Sequence, residues 1–220
     1  MDATRGGTSL SVVTPFWNHL ELLPDYAAVV NAGKPDEVIV IDNGSSPDFE
    51  PVGITRRNIV IRNRTNRGFS RACNQGLAAA TGDAVLFLNN DVRSLNESPW
   101  AKTVKAALAP GVLVGARLRN DAHATVDGEN VPYLDGWCLA GMREDLIELG
   151  GWDEEYAEPS YYGDNDLCAR ATARGFELVQ VDLPIQHLEN MSTKNMMLGE
   201  VTLRNYARYA ERVREMRVTA

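Results

Sequence analysis

The sequence predicts an α/β protein with a mainly parallel central sheet flanked by helices. Three observations point there. Apolar, β-rich runs alternate with segments of helical spacing through the first half of the chain. The runs are continuously apolar, as strands covered on both faces are. Three of them run into polar residues: Thr14-Pro15, Asp42-Asn43 and Asn89-Asn90-Asp91. In an open parallel sheet ligands bind beyond the carboxyl ends of the strands, so these polar ends converge on one crevice.

The elements follow in order. SLSVVT (9–14) is the first strand, and Asn18 with Glu21 reads as a capping box opening a helix to about Asn31. EVIVID (37–42) is a second strand, with Asn43-Gly44-Ser45-Ser46 as its turn, and NIVIR (58–62) is a third. GFSRACNQGLAAAT (68–81) has helical spacing at Phe69, Ala72, Cys73, Gly76, Leu77 and Ala80, and Gly82 closes it. AVLFL (84–88) is the fourth strand. Right-handed βαβ units account for this alternation.

The second half is less regular. Ser98-Pro99 opens a helix to about Leu108, 111–118 is a strand, and 120–137 reads as loop and hairpin. Residues 142–151 form a short helix ended by glycine. Residues 163–175 form a helix with acids first and arginines later, as the helix dipole favours. Residues 176–183 are the final strand. From about 195 to 218 runs an amphipathic helix with Leu198, Thr202, Tyr206, Tyr209, Val213 and Met216 on one face. Arg204, Arg208 and Arg212 form a second stripe on it, which reads as a solvated face or as a contact for an anionic acceptor or partner.

Composition narrows the function classes. The net charge of −8 argues against general binding to a nucleic-acid backbone. Cys73, Cys138 and Cys168 are odd in number and widely spaced, which is neither a disulfide framework nor a zinc pattern, and they read as free thiols in a reducing compartment. With no visible signal peptide and no apolar stretch of membrane-spanning length, the expected location is cytoplasmic. No G-x-G-x-x-G follows the first strand, and neither a Walker motif nor a G-x-S-x-G elbow occurs.

What remains is a set of acidic strand ends and YYGDNDLCAR at 161–170. Thr14-Pro15, VIVIDNGSSPD (38–48), NRGFSRACNQGLAAATGDAVLFLNNDV (66–92), GGWDEEY (150–156) and GDNDLCARATARG (163–175) form an ordered series. Together they resemble a family 2 glycosyltransferase of the GT-A fold, in particular its bacterial rhamnosyl- and galactofuranosyltransferase-like branch. The resemblance covers roughly 9–210. It implies one GT-A domain over 1–220, with a nucleotide-sugar half at 9–92, an acceptor and catalytic half at 93–190 and the helix at 195–218.

The family's activity would be transfer of a sugar from a UDP- or dTDP-sugar to an acceptor hydroxyl. Its metal-binding Asp-x-Asp motif falls on Asn89-Asn90-Asp91, where Asn89 replaces the usual first Asp. Mn²⁺ or Mg²⁺ would be held there by Asp91 and by His187, with Asn89 and Asn90 near the nucleotide or a metal-bound water. His19 and His123 have no such support. The resemblance places Thr14, Pro15, Asp42, Arg67, Gly68 and Asn74 around the nucleotide, and Asp135, Gly136 and Trp137 at the sugar and acceptor. From the residues alone, Asp42 would equally cap the 43–46 turn and Asn74 would equally be a packing amide.

Asp164 matches the family's general base, in a motif where Gly163 stands in place of Glu. One base and one metal-stabilised leaving group imply direct displacement with inversion. Asp166 lies about 200° further round the helix, so it reads as structural, pairing with Arg170 at i+4. Trp152 reads as the loop entering this helix or as core filler. Two alternatives stay open. One is a degenerate nucleotide-sugar-binding protein, favoured by Asn89 and Gly163. The other is a sugar-nucleotide nucleotidyltransferase, disfavoured because TPFWNH is no basic glycine-rich loop. The acceptor is left open among a glycan, a lipid-linked glycan, a protein and a small molecule, and a nucleic acid is disfavoured.

Overall fold

A computed structural model describes residues 7–117, 123–156, 161–188 and 199–219. Its centre is a seven-stranded sheet built from β1 (Leu10–Phe16), β2 (Glu37–Asp42), β3 (Asn58–Arg62), β4 (Ala84–Leu88), β6 (Val112–Ala116), β9 (Cys138–Met142) and β10 (Glu177–Val181). The spatial order is β10-β6-β9-β4-β1-β2-β3. All neighbours are parallel except β9, which runs antiparallel to β4 and to β6. The predicted sheet is therefore observed, with one strand reversed.

Alternation within each strand divides the core in two. Leu10, Val12, Val38, Val40, Leu86 and Leu88 face one side, against Tyr26, Val29 and Val30 of α1 (Leu23–Gly33) and Trp100 and Val104 at α3 (Ala101–Ala107). Val13, Ile39, Ile41, Val85 and Phe87 face the other. There they meet Cys73 and Leu77 of α2 (Phe69–Ala79), Leu146 of α4 (Arg143–Glu148) and Leu167 and Cys168 of α5 (Gly163–Thr172). Helices on both faces explain why these strands read as unbroken apolar runs. The three cysteines are buried free thiols.

The sequence reading needs correction at several places. Asn18 does not cap a helix: it and His19 have left-handed backbones, and a 3₁₀ turn (Leu20–Leu22) precedes α1. The Asn18 side-chain carbonyl instead accepts the Ser46 N–H at 2.9 Å. Thr14 and Pro15 lie within β1, paired with Val40 and Ile41 of β2, and the strand ends at Phe16. Residues 138–142 form β9, where the sequence reading assigns no strand. Residues 176–183 do not hold the last strand: β11 (Ile185–His187) follows and pairs antiparallel with β5 (Val92–Ser94). The expected hairpin is β7 (His123–Val126) with β8 (Glu129–Pro132), turning on Asp127-Gly128, both left-handed as such a tight turn requires.

The C-terminal helix is α6 (Gly199–Thr219), and the expected start at 195–198 lies outside the described residues. Among the described residues no helix is long and apolar enough to cross a membrane.

Close packing of α2 on β1 gives a test. A Cβ added to Gly76 would sit 2.1 Å from the Val13 side chain. Helix propensity alone favours Ala over Gly by about 1 kcal/mol, but overpacking a filled core costs about 1–3 kcal/mol. Gly76→Ala is expected to lower the urea midpoint, and an unchanged or raised midpoint would refute this packing.

Candidate active site

The reversed strand builds the site. Because β9 is antiparallel to β4, with Cys138 opposite Leu88, the segment just before β9 lies at the carboxyl end of β4. The Asn89 N–H donates to the Trp137 carbonyl at 2.8 Å and fastens the two ends together. Asp135, Gly136 and Trp137 thus reach the crevice from a strand that the sequence did not announce. Asp91 follows directly, 3% exposed, and its carbonyl accepts the Leu188 N–H at 2.8 Å. The β5–β11 pair then sets His187 opposite Val92.

Asp91 Oδ1 and His187 Nε2 are 3.1 Å apart. The imidazole lies parallel to the Trp137 indole, 5.0 Å between centroids and 8° between planes. The expected metal pair is therefore brought together, and Trp137 fixes the ring that belongs to it. Two groups in adjacent positions around an octahedral Mg²⁺-sized cation lie about 3 Å apart, so the pair fits one hard divalent ion. No cluster of three or more His, Cys, Asp or Glu side chains suited to a metal occurs among the described residues. Mg²⁺ normally takes one or two protein ligands together with substrate phosphates and water, so two suffice. Buried beside Asp91, Asn89 Oδ1 and Asn90 Nδ2 have no hydrogen-bond partner among the described residues. Buried polar atoms are seldom left unpaired, so these two amide atoms stand available to a polar group at the strand end.

Asp164 lies on the other side of the same segment. Its Oδ2 accepts the Gly136 N–H at 2.9 Å, and its Oδ1 accepts the Asn165 N–H at 2.9 Å. Burial first, and then the Asp135 carboxylate, push its pKa up to about 6, while the two N–H donors oppose the rise. A Cβ on Gly136 would stand 2.9 Å from the Trp152 ring and 3.1 Å from Asp164 Cβ, so only glycine allows this approach. Gly136 and Trp137 therefore join Asp164 to the Asp91–His187 pair through adjacent residues. Trp137 is 7% exposed and its ring face is stacked on His187, so it orients that imidazole.

The side chains of Asn74, Thr14 and Asp42 are engaged within the fold. Asn74 donates to the Trp152 carbonyl at 2.9 Å and to Glu154 at 3.0 Å, and accepts the Trp152 N–H at 2.9 Å. It clamps α2 to the loop entering α5, the contacts that the packing-amide reading expects. Thr14 is fully buried and accepts the Tyr26 hydroxyl at 2.9 Å, so its side chain faces α1. Pro15 beside it is partly exposed. Asp42 accepts the Ser45 N–H at 3.0 Å and the Phe49 N–H at 3.1 Å, with Arg62 Nε 3.6 Å away. Both its oxygens hold the 43–49 loop.

Sequence reasoning missed the amide cluster beside Asp42. Asn43 donates to Asn66 Oδ1 at 2.7 Å and to the Gly68 carbonyl, and accepts from Asn63 and from the Arg67 N–H, each at 3.0 Å. It joins the loops after β2 and β3 to the start of α2. The Asn-Gly after β2 and the amides of NRTNRG were the available signal. Gly68 precedes α2 at φ 90, a conformation that requires glycine, and the Arg67 side chain is exposed at the rim.

Asp166 is structural, as expected, pairing with Arg170 at 2.7 Å. Arg170 also donates to the Leu149 and Gly151 carbonyls. The solvated-face expectation holds for Arg204, which is exposed, and is corrected for the other two: Arg208 and Arg212 reach Asp153 at 2.8 and 2.7 Å, and Arg212 reaches Asp166 at 3.3 Å. Trp152 is core, edge-on to Phe69 and Phe87.

A mainly parallel sheet with one reversed strand and helices on both faces is the arrangement of the GT-A fold. The model of glycosyl transferase family 2 matches residues 11–150, and the chain belongs to that family. Glucosyl-3-phosphoglycerate synthase from Mycobacterium tuberculosis is 31% identical over 102 residues, which are 42% of this chain and 32% of that protein. A mannosyltransferase from Pyrobaculum calidifontis, in complex with GDP-Man and Mn²⁺, superposes with a TM-score of 0.63 at 20% identity, over 81% of this chain and 56% of that one. GalNAc-T7 with UDP, GalNAc and Mn²⁺ superposes with a TM-score of 0.68 at 17% identity, over 94% of this chain and 48% of that one. The chain thus spans about a third of that curated relative and about half of each structure. At these identities the two structures establish the fold.

The Asn74 clamp supplies a prediction. Asn74→Ala should destabilise the fold by about 1–3 kcal/mol, because the buried Trp152 backbone loses its partners. Binding of UDP with Mn²⁺, measured by titration calorimetry, should stay within twofold. A selective loss of nucleotide affinity would return Asn74 to the nucleotide pocket.

Proposed function

We propose that this domain transfers a hexosyl group from a nucleoside-diphosphate sugar, with UDP or dTDP as the nucleotide, to an acceptor hydroxyl with inversion. The observation that carries this reading is the juxtaposition of the Asp91–His187 pair and Asp164 across the Gly136-Trp137 segment. The rhamnosyl- and galactofuranosyl-like motifs in the sequence support dTDP-rhamnose and UDP-galactofuranose as the first donors to try.

Asp91 and His187 would hold Mn²⁺ or Mg²⁺, which supplies positive charge to the departing diphosphate. The remaining work falls to the chain itself. Asn89 and Asn90 present unpaired polar atoms to the donor, and the loop held by Asp42 and Asn43 walls the nucleotide side beside Pro15, Arg67 and Gly68. The N-terminus of α2 adds a favourable field for phosphate. Asp135 lies beside Asp164 and serves the sugar and acceptor hydroxyls. The acceptor oxygen forms a bond to the anomeric carbon while its proton passes to Asp164. The bond from that carbon to the diphosphate breaks, and the electron pair leaves with the diphosphate.

A carboxylate at its ordinary pKa would be a weak base. Held at about 6, Asp164 is ionised at neutral pH yet a better proton acceptor. The acceptor is a glycan, a lipid-linked glycan, a protein or a small molecule. The acidic balance of the chain disfavours nucleic acid.

Two outcomes follow. Asp164→Asn should lower turnover by about 10²–10⁴-fold while UDP or dTDP still binds, and near wild-type transfer would refute the mechanism. In the wild-type chain kcat/KM should fall with acid below a midpoint of about 6, because only the ionised base works. A midpoint near that of an ordinary Asp would show that Asp164 is not the titrating base.

A further inference from the structure

The base sits one residue into α5, and the turn before it is strained. Tyr162 precedes the helix with φ 75 and ψ −1, a left-handed backbone that a bulky side chain seldom adopts. Such a conformation persists only where the surroundings hold it. The residues that hold it come from α6, some forty positions further along the chain. Asn205, 1% exposed, donates its side-chain N–H to the Tyr161 carbonyl at 3.1 Å. The Tyr162 ring lies against two tyrosines of the same helix, Tyr209 at 5.5 Å and 23°, and Tyr206 at 5.6 Å and 56°. Two turns on, Arg212 reaches Asp166 of α5 at 3.3 Å and Asp153 of the entering loop at 2.7 Å.

We propose that α6 is the positioning element of the catalytic base, with Asn205, Tyr206 and Tyr209 holding the Tyr161-Tyr162 turn so that Asp164 is aimed into the crevice. This rests on the reading of Asp164 as the base. The contacts divide the labour. Asn205 fixes the carbonyl before the strained residue, the two rings fix its side chain, and Arg212 fixes the helix that follows. Polar contacts and stacking arranged at both ends of one strained turn set orientation, beyond the apolar burial of Val213 and Ala210 that holds α6 to the fold. A carboxylate displaced by about an ångström loses its reach to the acceptor proton while the metal and nucleotide contacts stay intact.

Tyr209 offers an internal control. Its hydroxyl is buried and has no hydrogen-bond partner among the described residues, so Tyr209→Phe keeps the ring and removes only that hydroxyl.

The experiment measures release of nucleotide from UDP-galactofuranose and dTDP-rhamnose, together with binding of UDP and Mn²⁺, for Asn205→Ala, Tyr206→Ala, Tyr209→Phe and Asp164→Asn. Tyr206 is only partly buried, so its truncation leaves a folded protein should Asn205→Ala not fold. The expected result is a kcat lowered at least tenfold in Asn205→Ala and Tyr206→Ala. In both, KM for the sugar nucleotide and the affinity for UDP with Mn²⁺ should stay within twofold, and Tyr209→Phe should match wild type. Wild-type kcat in Tyr206→Ala, or a KM that rises in step with the loss, would overturn the proposal. Undiminished turnover in Asp164→Asn would instead overturn the assignment of the base, which separates the two failures.

Discussion

The site depends on one strand entering the sheet backwards. A parallel β9 would carry its N-terminal segment to the far edge, away from the ends of β1, β2 and β4. Running antiparallel, it delivers Asp135, Gly136 and Trp137 to the carboxyl end of β4, where the Asn89 N–H secures them. Everything chemical follows from that placement. Trp137 stacks on His187, His187 meets Asp91, and the Gly136 N–H holds Asp164. Glycine at 136 is demanded by space, since Trp152 and Asp164 close on it from one side.

The carboxylates around this arrangement differ in what surrounds them. Asp42 and Asp166 are buried and matched by donors, two backbone N–H groups for the first and Arg170 with Arg212 and Tyr156 for the second. Both hold loops and helices. Asp164 has two N–H donors but also burial and a neighbouring Asp135, and the balance raises its pKa. The proposed mechanism gives the proton-accepting role to the carboxylate whose charge is least fully compensated. The Asp91 end differs again, because Asn89 and Asn90 present amide atoms with no partner among the described residues.

The strands were legible because each is an apolar run covered on both faces, and 37–42, 58–62 and 84–88 agree residue for residue with the elements observed. β9 was not, since CLAGM is short and its direction is set by tertiary pairing rather than local pattern. β5 and β11, three residues each, exist only as each other's partners. Of the site, Asp91, His187 and Asp164 stood out through the resemblance to the family's motifs, and the structure brings the first two into contact. Asn74 and Trp137 matched family positions, but their contacts are set by Trp152 and His187, distant in sequence. The arginines of α6 looked solvated because period alone shows a stripe and not what faces it. Asp153 and Asp166 come to meet them through the fold.

The most direct test of the central claim is thermal unfolding with UDP, dTDP and GDP, each with and without Mn²⁺, on the wild-type chain and on Asp91→Asn. A ligand at a hundred times its dissociation constant adds about 2.7 kcal/mol, several degrees for a chain of this size. The account predicts a shift with UDP or dTDP that requires Mn²⁺ and disappears in Asp91→Asn. An equal shift without metal, or one that survives Asp91→Asn, would contradict the assignment of the metal site. No shift with any of the three nucleotides would contradict the nucleotide site itself.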